Sequence, residues 1–509
     1  MSSASTTAPA ATPAQPAGLS AQIIAGLLAI FIGAMMSGLN NRVGSLGLAD
    51  VRGVFGASID SASWLSTAYS AGELIAMPFA SWFAITLSVR RFHLAMVSVC
   101  AVIALILPLV EQLNLLIGLR FIQGLAGGAL VPILMMAALK FLPINIRLHG
   151  LALYAMTATF APNLAVWLTG QWTDGLADWR WIYWQIIPMC IVAAALMSWG
   201  LPKEEVKYQR FKEGNWLGMV CGVAALGLLT VALDQGGRLD WFNSPIIVVS
   251  LVAGVVMLGC YLLTEWHHKT PFMQPQLIGR RNLGIGSILL TSLLIVLMSG
   301  SMLPSMHLAS LQDYRALQSA PIGLLIALPQ LVLGSVVALL LYRKWVDARV
   351  VLGLGLFVIA MACFSGAQLT AQWALQQFVV TQLLQAVGQP LAVVSILFLM
   401  TSVLAPHEGP YFSGTINTLR AFGTLIGGAV VGQLVTERSG LHSDMLLDHA
   451  ASITNNVAAT LEPGALAQVV AQQSLVLSIA DAYIGLGILA LILIPLGLMM
   501  TYVPAPDQQ

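Results

Sequence analysis

Residues 113–139 read LNLLIGLRFIQGLAGGALVPILMMAAL. One charged side chain, Arg120, interrupts an otherwise apolar run. About 18 or more such residues suffice to cross the hydrocarbon core of a bilayer as a helix. Arg120 lies well inside the run. A charge at that depth is costly unless it faces a cavity or a partner, and the plainer reading is a salt bridge that fixes helix packing. Gln123 falls on the same helical face one turn on. Gly124, Gly127 and Gly128 permit close backbone approach, and Pro132 can kink the helix.

The same pattern recurs along the chain. Apolar blocks fall near 20–44, 62–86, 93–110, 113–139, 149–171, 181–201, 215–234, 245–265, 283–304, 319–342, 350–369, 375–404, 412–435 and 475–500. The expectation is an all-α integral membrane protein of about fourteen transmembrane helices, with the lipid bilayer as its solvent. Composition agrees. Of 509 residues, 58% are hydrophobic and 8% charged, where soluble domains carry roughly 25% charged residues. The short alternating segments of a membrane barrel are absent from the sequence.

Other classes find no support. A net charge of +1 gives no reason to expect nucleic acid. The five cysteines lie apart inside apolar blocks, without metal-ligand or disulfide spacing, and read as small core residues. No phosphate-binding loop, nucleophile or metal constellation is visible. The chain therefore reads as a non-enzyme with no catalytic residue, cofactor or metal, and an ion gradient would supply the energy for any transport.

Basic residues set the orientation. With the amino terminus inside, fourteen of the 22 Lys and Arg fall in inner loops and six in outer ones, as the positive-inside rule requires. Both termini are then cytoplasmic. Residues 1–18 read as a disordered tail, 19–201 as a six-helix bundle and 202–282 as two extra helices with cytoplasmic flanks. Residues 283–502 read as a second six-helix bundle containing an outer loop at 437–474, and 503–509 as a short cytoplasmic tail. The bundles repeat weakly. Arg120 and Gln123 on one fourth helix correspond to Gln382 and Gln385 on the other. In repeated transporters the substrate sits between the halves near the midplane.

Several side chains are candidates for such a cavity. Gln382 and Gln385 would bond substrate or pair across helices. Arg42 would face the cavity or the outer headgroups, with Asn40 and Asn41 beside it. Arg420, with Asn417 on its face, would line the second half. Tyr69, Phe160 and Trp167 could form an apolar lining. Glu73 is the only acidic residue deep in the first six helices. An apolar surround balanced by a nearby arginine lets a carboxyl load and release protons near neutral pH. The plain alternative is a permanent ion pair with Arg120 or Arg42.

These residues also carry a resemblance. The stretch Arg120–Pro132, the sequence Trp179-Arg180-Trp181-Ile182-Tyr183 with Pro188 after it, and the set Ser413, Asn417, Arg420 and Gly423 resemble motifs of the fourteen-helix drug:proton antiporters of the major facilitator superfamily. The EmrB-like branch of Gram-negative inner membranes is the most similar. The chain departs from that pattern in places. Asn40 and Ser45 stand where the family's first helix carries Asp and Asn. Ser81, Ile85 and Ser88 replace the glycines and acid of the loop signature, and the fifth-helix motif keeps only Pro162 and Gly170.

The resemblance implies a major facilitator fold of 6 + 2 + 6 helices in a bacterial inner membrane. It implies efflux of amphipathic or aromatic compounds, multidrug-type, driven by inward proton movement. Glu73 and Arg120 would couple the proton, with Glu73 replacing the first-helix acid. Pro132 and Pro162 would serve packing or gating. A periplasmic adaptor and an outer-membrane channel are implied partners, with 437–474 as either their contact or a flexible loop. Two alternatives stay open: a dedicated metabolite exporter with weak or no proton coupling, and a transport-inactive sensor or scaffold.

Overall fold

A computed structural model describes residues 20–453 and 463–505. Fourteen helices within it are long and apolar enough to span a membrane. The first six are Ala21–Leu46, Ile59–Leu87, Val89–Ile106, Leu113–Phe141, Ile144–Gly170 and the pair Trp181–Trp184 and Ile186–Gly200. Two more, Trp216–Gln235 and Pro245–His267, form a hairpin. The last six are Arg281–Leu311, Ala316–Leu341, Ala348–Gly366, Val379–Thr401, Gly409–Ile453 and Pro463–Leu498. They are called first to fourteenth in that order. Local chemistry sets several starts. Ser20, Ser58, Asn215 and Asp347 each accept a backbone N–H of the following turn, meeting a need that lipid cannot. The ninth helix is interrupted at Leu297, between Val296 and Met298.

Two details differ from the sequence reading. A short helix, Leu48–Phe55, follows the first span. Much of 437–474 is helix rather than loop, because the thirteenth helix runs on to Ile453 and the fourteenth starts at Pro463. The segment 437–453 is polar but holds leucines, alanines and no proline. Falling hydropathy marks where a helix leaves lipid, not where it ends. Residues 454–462 and the tails 1–18 and 506–509 lie outside the described residues.

Helices one to six pack as one bundle and nine to fourteen as another, joined along two seams. The fifth helix packs on the tenth, and the second on the thirteenth. Within the first bundle the second and fourth helices meet most extensively. Glycine makes this possible. A methyl group on Gly124 would collide with the Tyr69 carbonyl, and one on Gly128 with the Glu73 backbone. We expect Gly128→Val to destabilise the protein by about 1–3 kcal/mol, the usual cost of overpacking, read as a lower Tm in detergent. An unchanged Tm would show that the two helices can separate freely.

The extra hairpin is pinned to the second helix at both ends. At one end Trp82 meets Phe272 at 4.9 Å between ring centroids, with Phe211 and Trp216 against the same ring. The fully buried Glu265 holds the turn beyond by accepting from Asn215 Nδ2 and the N–H groups of Phe272 and Met273. At the other end Thr67 donates to Asp234 and accepts from Gln235 Nε2 at 2.5 Å.

Contacts between the bundles close both ends of the seam. At the end bearing Ala21, Ser413 Oγ donates to the Pro132 carbonyl, and the Leu148 N–H donates to Tyr342 Oη at 3.1 Å. At the opposite end Arg315 pairs with Asp174 at 2.7 Å and with Asp50 at 3.3 Å. A π-helical turn, Gln171–Gly175, carries Asp174. Near the Ala21 end Arg280 pairs with Glu408 and holds its carboxyl below the usual carboxylate range.

Candidate functional site

The first helix brings Asn40, Asn41 and Arg42 to the middle of the bundle. Asn41 Nδ2 donates to Glu73 Oε2 on the second helix. Arg120, on the fourth helix, is 1% exposed. Its Nη1 donates to Gln123 Oε1 at 2.8 Å and to Asn40 Oδ1 at 3.4 Å. The guanidinium lies 4.3 Å from the centroid of the Tyr69 ring and 5.5 Å from that of Tyr183. Gly44 leaves the space that its Nη2 fills. Neutral oxygens and aromatic faces surround this cation, and among the described residues no carboxylate forms the alternative salt bridge with it.

The second half contributes Arg420 and Asn417. Arg420 Nη1 donates to Thr157 Oγ1 on the fifth helix at 2.5 Å, and the guanidinium lies 5.1 Å from the Tyr154 ring centroid. Tyr154 Oη donates to Asn417 Oδ1 at 2.8 Å. Both contacts cross between the bundles. The charges of Arg420 and Arg120 both act on Glu73. Glu73, Arg120 and Arg420 thus share one centre, buried at Arg120 and half-buried at Glu73 and Arg420, contributed by helices two, four and thirteen. Among the described residues Glu73 forms no ion pair with Arg120 or Arg42, which corrects the permanent-pair alternative. The neutral Asn41 amide donates to it instead.

Arg42 shares a helical face with Gly38, one turn earlier, and Gly38 abuts Thr157 and Ala161. Its Nε is buried without a hydrogen-bond partner. Ser37 Oγ and Gln123 Nε2 are buried and unpartnered as well. Gly127 faces Tyr69 Oη and Ser37 Oγ, so it supports the site as well as the packing. Pro162 precedes Asn163, whose backbone touches Gly323 of the tenth helix in the seam. Trp167 is 36% exposed on the bundle surface and lines nothing internal, whereas Tyr69 is fully buried beneath Arg120.

The twelfth helix places Gln382 and Gln385 inside the second bundle, both fully buried. Gln385 Nε2 donates to Ser299 Oγ at 2.8 Å on the ninth helix, and Gln385 Oε1 accepts from Gln389 Nε2 at 3.2 Å. Gln389 Oε1 accepts from Gln330 Nε2 on the tenth helix at 2.9 Å. The sequence reading missed Gln330 and Gln389. Spacing of 382, 385 and 389 on one helical face was the available signal for the latter. Tyr154 and Thr157 were also missed, and a lone hydroxyl in an apolar helix gives no such signal. His307, near the end of the ninth helix, is fully buried, with Nε2 at 3.0 Å from the Trp373 carbonyl.

Comparison with known proteins places this architecture. The sequence profile of the Major Facilitator Superfamily matches residues 30–306, more than half of the chain. The multidrug export protein EmrB of Haemophilus influenzae is 24% identical over 435 residues, covering 83% of this chain and 82% of that protein. The fatty acid resistance protein FarB of Neisseria gonorrhoeae is 24% identical over 491 residues, covering 92% and 94%. Among solved structures, the human organic anion transporter MFSD10 superposes with a TM-score of 0.59 at 12% identity, over 93% of this chain and 100% of that one. A POT family transporter gives 0.58 at 14% identity, over 92% and 94%. At such identities the structures speak for the fold alone. Two six-helix bundles around a buried, charged seam, and a family profile across more than half the sequence, make this multi-pass membrane protein a member of the Major Facilitator Superfamily, similar in sequence to its EmrB-type exporters.

Proposed function

We propose that the protein is a secondary exporter of amphipathic or aromatic small molecules, working by alternating access and coupled to inward proton movement through Glu73. One observation carries this reading. A half-buried carboxyl, held by a neutral amide, shares a centre between the bundles with two arginines that have no ion-pair partner among the described residues. Glu73 can then exchange a proton without first breaking a salt bridge. Tyr69, Tyr183 and Tyr154 give the centre aromatic walls. In this reading the chain lies in a bacterial inner membrane with both termini inside. The Arg315 cluster is the outer closure and the Ser413–Pro132 contact the inner one. The long thirteenth and fourteenth helices then extend on the periplasmic side, where an adaptor leading to an outer-membrane channel would meet them.

The direct test is transport by inverted vesicles offered a panel of aromatic amphipaths, with and without an imposed pH gradient. Gradient-dependent accumulation of at least one compound is expected. A panel that stays outside under both conditions would overturn the exporter reading. For orientation, a single cysteine at position 207 in a cysteine-free variant should react with an impermeant reagent only from the cytoplasmic side. Labelling of Lys207→Cys from outside would invert the topology.

A dedicated exporter with weak or no proton coupling is the second reading. The observation favouring it is Asn40, a neutral side chain on Arg120 where the resemblance places an acid. The vesicle assay separates the two, since the second exporter would work equally well without the pH gradient.

A further inference from the structure

The glutamines of the second bundle form a directed chain. Gln330 donates to Gln389, Gln389 to Gln385, Gln385 to Ser299, and Ser299 Oγ to the Val296 carbonyl at 2.6 Å. The chain runs across the tenth, twelfth and ninth helices and ends at the interruption of the ninth. Each side-chain amide passes its donor the same way, so the bonds polarise one another. The head of the chain is left open. Gln330 Oε1 is buried and accepts no hydrogen bond. One turn from Gln385, on the same helical face, Gln382 is 0% exposed and neither of its amide atoms has a partner. Burying such atoms unpaired costs about 1–3 kcal/mol each, and a bilayer has no water to relieve them. Packing alone would have favoured leucine or methionine there.

A small cavity of about 10 Å³ lies in the seam near this chain. Asn163, Gly300, Ser301, Ser305, Ser319 and Gly323 form much of its wall, drawn from the fifth, ninth and tenth helices. Gly300 is common to the cavity and the chain. A methyl group there would sit 3.1 Å from Gln389 Nε2 and 3.3 Å from Gln385 Cδ. Lacking one, the amides are separated from the cavity by backbone alone. With both ends of the seam closed the space admits a single water at most, and opening either end would widen it. The corresponding place in the first bundle holds Arg120 and Gln123. The fourth helix of each half therefore carries different chemistry at this level, a cation in the first and neutral amides in the second.

From this we infer that Gln330 and Gln382, backed by Gln385, Gln389 and Ser299, form a substrate subsite for a neutral group that both donates and accepts hydrogen bonds, a secondary amide above all. A secondary amide offers its N–H to Gln330 Oε1 and its carbonyl to the Gln382 Nε2 group. The inference rests on the exporter reading and adds what one pole of the substrate must be. Residues that bond an amide only when it is present discriminate against its isosteres, because their own polar atoms then stay unpaired.

The test uses two radiolabelled isosteres, benzanilide and phenyl benzoate, which differ in one N–H. Transport of each is measured into proteoliposomes containing the full-length protein. Wild type should prefer the amide by about tenfold in kcat/KM, the equivalent of one neutral hydrogen bond. Gln382→Met, which breaks no hydrogen bond present in the structure, should raise Tm and remove the preference. Gln330→Met should also remove it, and Gln330→Asn should restore part of it. Failure of wild type to move either compound would count against the exporter reading itself. Equal transport of both by wild type, or a preference that survives Gln382→Met, would overturn the subsite and leave the exporter standing.

Discussion

Arg120→Ala is expected to abolish transport, by about 100-fold or more, in a protein that still folds and inserts. The two halves of this expectation have separate grounds. Removing the side chain leaves Gln123 Oε1 and Asn40 Oδ1 without their donor, at about 1–3 kcal/mol each. It also removes a buried cation that no carboxylate contacts among the described residues, and burying an unpaired charge is itself strongly unfavourable. The two effects offset, so Tm should shift by only a few degrees. Function has no such compensation. The guanidinium touches the first helix through Asn40 and Gly44 and the second through Tyr69. It reaches the sixth through Tyr183. Lysine should rescue poorly, because it offers a point charge instead of a planar fork that can bond and stack together. Counterflow in proteoliposomes, with Tm measured on the same preparation, checks both halves. Near-wild-type counterflow by Arg120→Ala would reduce Arg120 to a packing residue.

The second large effect concerns coupling. Glu73→Gln is expected to bind substrate within a few-fold of wild type yet lose its response to an imposed pH gradient. Glutamine has the shape of a protonated glutamate and keeps an oxygen for Asn41 Nδ2. It cannot release a proton, so the alternation between a neutral carboxyl and one charged toward Arg120 and Arg420 stops. Exchange of substrate down its own gradient should persist, while uphill accumulation should fall to the background of empty vesicles. Glu73→Gln vesicles that still move protons with substrate at the normal ratio would assign coupling elsewhere.

Much of the fold was legible because hydropathy reports directly on the solvent of each segment. Blocks such as 113–139 and 350–369 had only one stable outcome in lipid. What hydropathy could not report was helix beyond lipid. The extension from Glu437 to Ile453 was therefore expected as loop, and the break at Leu297 left no mark, since both sides of it are equally apolar. The site was legible where a residue violated its surroundings. Arg120, Glu73 and Arg420 stood out as charges inside apolar runs, and the structure gathers all three. Partnership was harder to read. Where ion pairs had been the alternative stand Asn40, Asn41, Gln123, Thr157 and three tyrosine rings, because neutral oxygens and aromatic faces can also receive a guanidinium. Nothing in the linear sequence announces which uncharged side chain a fold will bring to a charged one. The glutamine chain lay between these cases. Its twelfth-helix members share a face and could be counted, but Gln330 joined them only through packing of the tenth helix.

The thirteenth helix has one further consequence, a mechanical one. It carries the Ser413 closure near its first turn and Arg420 beside the central site, then continues unbroken to Ile453. At 1.5 Å per residue its 45 residues measure about 67 Å, while the hydrocarbon layer is about 30 Å thick. A rod of that kind is a lever. If it pivots near the middle of the membrane, a tilt of about 10°, modest beside known subunit rotations, moves the far end by about 9 Å. The fourteenth helix, bound alongside through Asp481 to Arg438 and His442, would travel with it. Small rearrangements around a bound molecule would thereby be amplified into a large stroke at the far end of the longest described helix.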